Sequence, residues 1–331
     1  MSVAGRPDVL SPSRWVGARL KRLEDPRLLR GGGRYLDDLR MSGLLHAAFV
    51  RSPHAHARVL AVDARSALAA PGVAGVLHGQ DLAALPPLAP RLEMAGFMST
   101  AWRVLAPERA RFAGEPVAVV AAASTYDAAD AAELVRVEYE PLPPVAGMDA
   151  ARDPRAPRLH EAVEGNVLFR RDHRCGDVDA AFAGAAHVLG ETFAHARVSA
   201  SPLEPRGIAA HWDGDGLTVW ASTQVPFVMR AALARVFALA ESAVRVVAPD
   251  TGGGFGQKMH LLPEDLAIVA LARATRRPVK WVETRRENLQ AASQAREQRL
   301  AVELAADAEG RVLGLRARVC SDAGAYHVYP Q

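Results

Sequence analysis

A run of glycines, Gly252-Gly-Gly-Phe-Gly256, lies between a strand pattern and a helix pattern. Three successive glycines leave a turn without side chains, so a flat ligand could touch the backbone and its N–H groups could donate to an anion or an oxo group. The spacing excludes two common glycine motifs, because Gln257 stands where a P-loop and a dinucleotide fingerprint both require glycine. Spacing alone leaves a ligand-binding loop and a structural turn open.

Two shorter segments carry polar side chains that could line a cleft. Gln224 follows Ser222 and Thr223 at the end of a strand pattern, where its amide could donate to a ligand, although a turn residue is the simpler interpretation. Glu204 stands between two prolines and close to Arg206. It could be a fixed polar contact in a pocket, or it could form an internal ion pair with Arg206.

The histidines and cysteines give no pattern of a metal site. His54 and His56 are spaced two apart, which on a strand places both imidazoles on one face. A zinc site needs one or two further ligands, and no pair of cysteines or histidines stands nearby, so we interpret both as structural or surface residues. Cys175 and Cys320 are too few for a disulfide scaffold or a four-thiolate iron–sulfur cluster of this chain. We expect them to be reduced, in a cytoplasmic protein.

The composition is that of an ordinary globular protein. The 331 residues are 50% hydrophobic and 23% charged, with a formal net charge of +3. This balance excludes wholesale disorder, and the length suits two domains of about 150 residues each. Arginines are interspersed with acids, so no nucleic-acid partner is expected. The longest apolar run, Pro116–Ala123, is shorter than the roughly 20 residues that a membrane span needs, and the first residues show no signal-peptide pattern.

Strand and helix patterns are mixed without an internal repeat, which predicts an α+β protein in two blocks. Four segments are predicted: a flexible arm over residues 1–15, a first block over 16–145, a proline-rich linker over 146–165 and a second block over 166–331. Helices are predicted at Asp63–Ala70, Thr125–Leu134, Gly176–Phe182, Phe227–Leu239 and Leu266–Ala274. Strands are predicted at Leu44–Val50, Arg58–Val62, Val73–Leu77, Val117–Ala122, Val135–Glu140, Ala186–Val198, Gly207–Trp212, Leu217–Ala221, Ala243–Ala248, Pro278–Val282, Arg299–Ala305 and Arg311–Val319.

Nearly the whole chain resembles one enzyme family. The first block is similar to the a/b hammerhead domain of the xanthine dehydrogenase and aldehyde oxidase family, and the second to the start of its molybdopterin-binding region. The first set of matching pieces is Arg30-Gly-Gly-Gly-Arg-Tyr-Leu-Asp-Asp38, Val50-Arg-Ser-Pro-His-Ala-His-Ala57, Ala70-Pro-Gly-Val73, Phe112-Ala-Gly-Glu-Pro-Val-Ala-Val-Val120 and Val137-Glu-Tyr-Glu-Pro-Leu-Pro143. The second set is Leu203-Glu-Pro-Arg-Gly207, Ser222-Thr-Gln224, Val247-Ala-Pro-Asp-Thr-Gly-Gly-Gly-Phe-Gly-Gln-Lys258, Arg277-Pro-Val-Lys-Trp281 and Asp322-Ala-Gly-Ala-Tyr326. Within the family, these segments are most similar in pattern to the large chains of aerobic carbon monoxide dehydrogenases.

The resemblance implies a molybdenum hydroxylase. Members of this family oxidise a small carbon substrate (carbon monoxide, an aldehyde or an N-heterocycle) with oxygen from water, at molybdenum held by a molybdopterin, here expected in a dinucleotide form. Electrons leave through [2Fe–2S] clusters to FAD. These groups are expected on an iron–sulfur small subunit and an FAD-binding medium subunit, not on this chain.

The resemblance also implies roles for single residues. It assigns cofactor contacts to Gln224, Gly253, Gly254, Phe255, Gly256 and Gln257. Of these, Gln224 and Phe255 would lie next to the molybdenum without coordinating it, with Gln224 hydrogen-bonded to one of its oxygen ligands. Glu204 and Met259 are expected in the substrate pocket. Purine oxidisers carry a glutamate at the position of Met259, and since a thioether does not take up a proton, purine oxidation is not expected.

The length departs from the family pattern, because the family's molybdenum subunit is more than twice this size. Its catalytic glutamate lies near the far C-terminus, so no catalytic residue is expected before Gln331. We therefore expect the N-terminal portion of such a subunit, partnered by the C-terminal half and inactive alone. The alternative is a truncated, non-catalytic remnant that only folds or docks partner subunits. A nucleotide-binding enzyme is a weaker hypothesis, since the glycine spacing does not match either nucleotide-binding motif.

Overall fold

The computed structural model describes residues 17–89 and 94–327. The predicted arm over residues 1–15 lies outside this range. The chain divides into two compact units, residues 1–34 and 35–331. The described part of the first unit contains one short helix, α1 (Asp25–Leu28), with a proline in its first turn.

The second unit is α+β, as predicted. Its strands are β1 (Leu45–Arg51), β2 (Ala57–Asp63), β3 (Val73–His78), β4 (Arg109–Ala110), β5 (Pro116–Ala122), β6 (Arg136–Pro141), β7 (His187–His195), β8 (Gly207–Asp213), β9 (Gly216–Ala221), β10 (Val244–Val247), β11 (Val279–Val282), β12 (Gln298–Ala306) and β13 (Val312–Ser321). Its helices are α2 (Arg65–Leu68), α3 (Thr125–Glu133), α4 (Met148–Arg152), α5 (Val178–Ala183), α6 (Pro226–Val236), α7 (Pro263–Thr275) and α8 (Arg285–Ala291).

Several predicted elements differ from those observed. The helix predicted from Asp63 is only the single turn α2, and Asp63 instead accepts a hydrogen bond from the Arg65 N–H. The predicted strand Ala186–Val198 ends at His195 in β7. The predicted linker contains α4, and β4 and α8 were not predicted. Proline-rich and short segments show little hydrophobic periodicity, so these elements could not be predicted from it.

One seven-stranded sheet, in the order β10-β9-β8-β11-β1-β5-β3, forms the centre of the second unit. Strands from both predicted blocks share it. They meet where β1 pairs in parallel with β11, with Leu45 opposite Val279. The predicted domain boundaries therefore do not coincide with an edge of this sheet, and they remain a prediction. Two further sheets of three strands each are β13-β12-β7 and β4-β2-β6.

The core lies between this sheet and α7. Every residue of β5 is buried, and so is each residue of α7 from Pro263 to Ala272. The helix predicted over Leu266–Ala274 is thus observed, and its residues up to Ala272 are buried. Burying apolar surface stabilises the folded state by about 25 cal/mol per Å². The packing of α7 therefore holds the neighbouring strands of the sheet in place. Among the described residues, no helix has the length and apolar content to cross a membrane.

A buried carboxyl ties the last described residues to the start of β5. Glu115 accepts hydrogen bonds from the Tyr326 hydroxyl at 2.7 Å and from the Arg111 N–H at 2.6 Å. The Tyr326 ring stacks on Trp102, with 4.7 Å between ring centroids. Burial raises the pKa of Glu115 to about 7, although the hydrogen bonds from Arg111 and Tyr326 act in the opposite direction. Removal from water thus outweighs the hydrogen bonds to the ionised form.

This raised pKa makes stability depend on pH. Between about pH 4.5 and 7 the folded chain holds a proton on Glu115 that the unfolded chain has released. The contribution of this group is therefore fully present below pH 4.5 and is lost as the pH rises to 7. We expect Glu115→Gln, which stays neutral, to gain stability relative to wild type across this window, by roughly 3 kcal/mol. Urea unfolding at pH 5, 6, 7 and 8 measures this difference, and the same value at all four pH values would contradict the shift.

Candidate functional site

Gln224 and the glycine loop lie at the same end of the large sheet. Strand β9 ends at Ala221 and its neighbour β10 ends at Val247, and the two run parallel, with Val219 opposite Val246. The carboxyl ends of parallel neighbours meet at one edge, which is where open sheets commonly bind ligands. The segment after β9 carries Gln224. The segment after β10 carries the run of glycines, and we refer to residues 252–259 as the glycine loop.

The structure brings Gln224 into contact with that loop. The Gly256 N–H donates to Gln224 Oε1 at 3.1 Å, and the Gln224 N–H donates to the Lys258 carbonyl at 3.0 Å. A Cβ on Gly254 would lie 2.3 Å from Gln224 Oε1, so the carboxamide occupies the space of a missing side chain. A glycine at position 254 is therefore needed for the two segments to approach this closely.

The loop backbone uses conformations that favour glycine. Gly253 and Gly256 have φ angles of +93° and +89°. Phe255 has φ of +52°, which is uncommon for a residue with a side chain. Its ring lies near Gly253 and is 76% exposed, so this loop faces outward and is not sealed in the core. Met259, at the end of the loop, is also exposed.

Three consecutive backbone donors of the loop are free. Within the part of the chain that the structure describes, the N–H groups of Gly253, Gly254 and Phe255 have no hydrogen-bond partner. In contrast, the Gly252 N–H donates to Glu204 at 2.8 Å and the Gln257 N–H donates to the Gly254 carbonyl at 2.9 Å. Gly254 is buried, and buried amides are rarely unpaired in folded proteins. The loop therefore offers donors to an acceptor outside the chain.

Glu204 lies behind the loop and is bound by donors of this chain. Its Oε2 accepts from the Gly252 N–H, from Ser222 Oγ at 2.6 Å and from Lys258 Nζ at 3.0 Å. Its Oε1 accepts from the Leu36 N–H at 3.3 Å. The ion pair considered between Glu204 and Arg206 is not formed, because Lys258 takes that place. The assignment of Glu204 to a substrate pocket stays a prediction.

Arg206 belongs to a buried ionic network that sequence reasoning missed. It donates to Glu283 at 2.6 Å and to Glu264 at 3.1 Å, and Arg51 donates to Glu264 at 2.9 Å and to Glu287 at 3.0 Å. Burial acts to raise the pKa of Glu264, but the charges of Arg206 and Arg51 outweigh it and hold that pKa at about 2. The network therefore stays ionised.

Asn288 joins this network to the glycine loop. It is fully buried on α8, and its Nδ2 donates to Gln257 Oε1 at 2.8 Å and to Glu283 Oε2 at 2.6 Å. Helix α8 begins with a capping box, in which Thr284 and Glu287 exchange hydrogen bonds. That T-x-x-E spacing is a sequence signal for a helix start and could have revealed α8.

The two histidines lie in the bend between β1 and β2, not on a strand. His56 is buried, with Nδ1 2.9 Å from the Pro143 carbonyl oxygen, and His54 packs against the ring of Tyr139. Within residues 17–89 and 94–327, no three His, Cys, Asp or Glu side chains are grouped as they would be to hold a metal ion. Both cysteines are free.

Two family models match the chain. The molybdopterin cofactor-binding domain matches residues 159–331. The aldehyde oxidase and xanthine dehydrogenase a/b hammerhead domain matches residues 30–143.

Individual proteins are similar over almost the whole chain. The nicotine 6-hydroxylase large subunit of Paenarthrobacter nicotinovorans is 41% identical, over 96% of this chain and 39% of the relative. The carbon monoxide dehydrogenase large chain of Afipia carboxidovorans is 39% identical, over 94% of this chain and 40% of the relative. The crystal structure of quinoline 2-oxidoreductase from Pseudomonas putida 86 superposes with a TM-score of 0.89 at 43% identity, over 94% of this chain and 40% of that one. The chain thus spans about two fifths of the length of these proteins.

Proposed function

Because the chain belongs to the xanthine dehydrogenase and aldehyde oxidase family of molybdopterin-binding proteins, we propose that it forms one wall of the cofactor site of a molybdenum hydroxylase. The observation that carries this proposal is the contact of Gln224 with a loop whose three central N–H groups are free. The same proposal covers the activity, the substrate class and the partner subunits.

The residues present fit an oxygen-bearing, flat cofactor. Since the Gly256 N–H needs an acceptor, Gln224 Oε1 must face it, and the Nε2 group then points away as a donor. Together with the free N–H groups of Gly253, Gly254 and Phe255, this gives four donor groups, on a loop where two glycines carry no side chain and the exposed Phe255 ring offers a flat face. A metal complex with oxygen ligands, extended by a flat pterin, matches both properties.

The bound molybdenum cofactor would supply oxidation of carbon with oxygen derived from water. The chain's own residues would orient and polarise that group. Gln224 would donate to an oxygen next to the metal, and the N–H groups of Gly253 to Phe255 would stabilise negative charge on oxygen. A preformed donor of this kind contributes about 3 kcal/mol to transition-state stabilisation. Gln257 would act from behind the loop, through Asn288.

The substrate would be a small carbon compound, namely carbon monoxide, an aldehyde or an N-heterocycle. The similar nicotine and quinoline enzymes favour the N-heterocycle by analogy. Met259 is exposed at the loop end and offers no group for proton transfer to a purine ring. Electrons would leave through [2Fe–2S] clusters and FAD on a small and a medium subunit, with the cofactor in a dinucleotide form. Free cysteines agree with the cytoplasmic location that we propose.

An exposed apolar sheet face suggests where a further polypeptide packs. On β7, β12 and β13 the paired residues Phe193, Leu300 and Val319 share one face, and so do Leu189, Leu304 and Leu315. Four of these six side chains are more than half exposed: Leu189, Phe193, Leu315 and Val319. Apolar faces of this kind mark interaction surfaces. We propose that the C-terminal half of the large subunit covers it.

Metal analysis tests the proposal. The chain would be produced in a host that makes molybdopterin, with the small and medium subunits, and with or without the C-terminal half of a similar large subunit. We expect about one molybdenum per chain when all parts are present, and little when the C-terminal half is missing. A complex that assembles without molybdenum in both cases would contradict the proposal and favour the docking remnant.

A further inference from the structure

One partly buried carboxylate links the start of the glycine loop to its end. Glu204 Oε2 accepts from the Gly252 N–H at 2.8 Å, at the start of the loop, and from Lys258 Nζ at 3.0 Å, at its end. Ser222 Oγ donates to the same oxygen at 2.6 Å and accepts from Lys258 Nζ at 2.7 Å. We refer to Glu204, Ser222 and Lys258 as the Glu204 clip.

The clip is tightly packed as well as hydrogen-bonded. The Glu204 N–H donates to the Gly252 carbonyl at 3.1 Å, so these two residues exchange hydrogen bonds. A Cβ on Gly252 would lie 2.6 Å from the Glu204 Cβ, and only glycine permits this approach. The Lys258 side chain is fully buried. Burial lowers the pKa of Lys258, and the hydrogen bond and charge of Glu204 oppose that shift.

The clip also connects the loop to Gln224. The Lys258 carbonyl accepts from the Gln224 N–H at 3.0 Å, while its side chain reaches Glu204 and Ser222. One lysine therefore joins the loop end, the segment after β9 and the segment before β8. The free N–H groups of Gly253, Gly254 and Phe255 lie between the two points that the clip holds.

We propose that Glu204 and Lys258 are positioning residues, which set the shape of the glycine loop before any cofactor binds. A loop with four glycines has high conformational entropy when it is not fixed. Because the clip fixes Gly252 and Lys258, the three N–H groups between them are kept from pairing within the described part of the chain. The role in cofactor binding rests on the proposed function, whereas the effect on loop shape does not.

Amide hydrogen exchange of the purified chain without cofactor tests the effect on loop shape. Two amides report on the loop without touching the clip, namely Gly256, bonded to Gln224, and Gln257, bonded to the Gly254 carbonyl. We expect at least tenfold faster exchange at both in Glu204→Gln and in Lys258→Met, with the β5 amides unchanged. The matched control is Glu140→Gln, which breaks an exposed ion pair with Arg58 and should leave the loop as in wild type.

Two further variants keep the test decisive. The double variant Glu204→Gln/Lys258→Met removes both charges of the ion pair, so its loop exchange should be no faster than that of either single variant. If a charge variant does not fold, Ser222→Ala replaces it, since this variant removes one donor and leaves the ion pair. Faster exchange at Gly256 and Gln257 in Ser222→Ala supports the proposal. Faster exchange at Gly252 alone, or none, overturns it.

Molybdenum content separates positioning from simple stabilisation. In the co-expression described above, a clip variant with faster loop exchange and an unchanged melting temperature should retain at least tenfold less molybdenum than wild type. Unchanged molybdenum content in such a variant would show that the clip does not position the site. A wild type that retains no molybdenum would contradict the proposed function, while the exchange result on loop shape would still stand.

Discussion

Gly254→Ala is expected to reduce molybdenum-dependent turnover by roughly 10²–10³-fold while the chain still folds. An alanine Cβ at this position would lie 2.3, 2.6 and 2.9 Å from Oε1, Cδ and Cγ of Gln224. The Gln224 side chain can swing away because it is flexible and exposed, so the clash itself is relieved cheaply. When it moves, however, the Gly256 N–H loses its acceptor and the carboxamide loses its orientation. The free energy of unfolding should change by only about 1 kcal/mol.

Two other glycines provide controls for this variant. Gly190→Ala on β7 adds a Cβ with ordinary contacts only, 3.8 Å from Glu303, and should leave turnover unchanged. Gly256→Ala has open space for its Cβ but a φ of +89°, so it tests backbone strain without the clash. Turnover per bound molybdenum and urea unfolding would be measured for all three. Full turnover of Gly254→Ala would mean that Gln224 need not lie against the loop.

The juxtaposition of Gln224 with the glycine loop could be expected from the sequence, but only through the resemblance. The local patterns predicted the ends of β9 and β10 to within one residue, since both are short apolar strands followed by glycine-rich or proline-marked segments. That these strands are parallel neighbours depends on contacts that leave no local signal. The pairing of β1 with β11 could not be predicted for the same reason. Its paired residues Leu45 and Val279 are 234 positions apart in the sequence.

The ion-pair partners of the buried charges could not be predicted from the sequence, because they too depend on tertiary contacts. Arg206 has an acid two positions away, and proximity in sequence suggested Glu204 as its partner. The observed partners, Glu264 and Glu283, come from the start of α7 and from the position directly after β11. A buried charge is partnered by whatever the tertiary packing brings to it, because leaving it unpaired is costly. Separation along the sequence is therefore a poor predictor of the ion-pair partner.

Arg206→Met is expected to destabilise the fold by about 3–5 kcal/mol. Its guanidinium pairs with Glu264 and Glu283, and all three side chains are almost completely buried. A methionine of similar length would leave Glu283 without a cationic partner and Glu264 with Arg51 alone. The two carboxylates would then repel each other in a region that water does not reach. Urea unfolding at pH 7 measures the loss, and a change below about 1 kcal/mol would contradict the network.

A matched control and a compensating variant make this result specific. Arg58→Met removes an arginine from an exposed pair with Glu140, and exposed pairs contribute only about 0–1 kcal/mol. The triple variant Arg206→Met/Glu264→Gln/Glu283→Gln also removes the two carboxylate charges that Arg206 had neutralised, and it should recover part of the lost stability. The acid dependence should change as well. In wild type the lowered pKa of Glu264, about 2, stabilises the fold above pH 4.5, and this contribution is lost as the pH falls toward 2. In Arg206→Met this acid loss should shrink, because the charge that lowers the pKa most is gone.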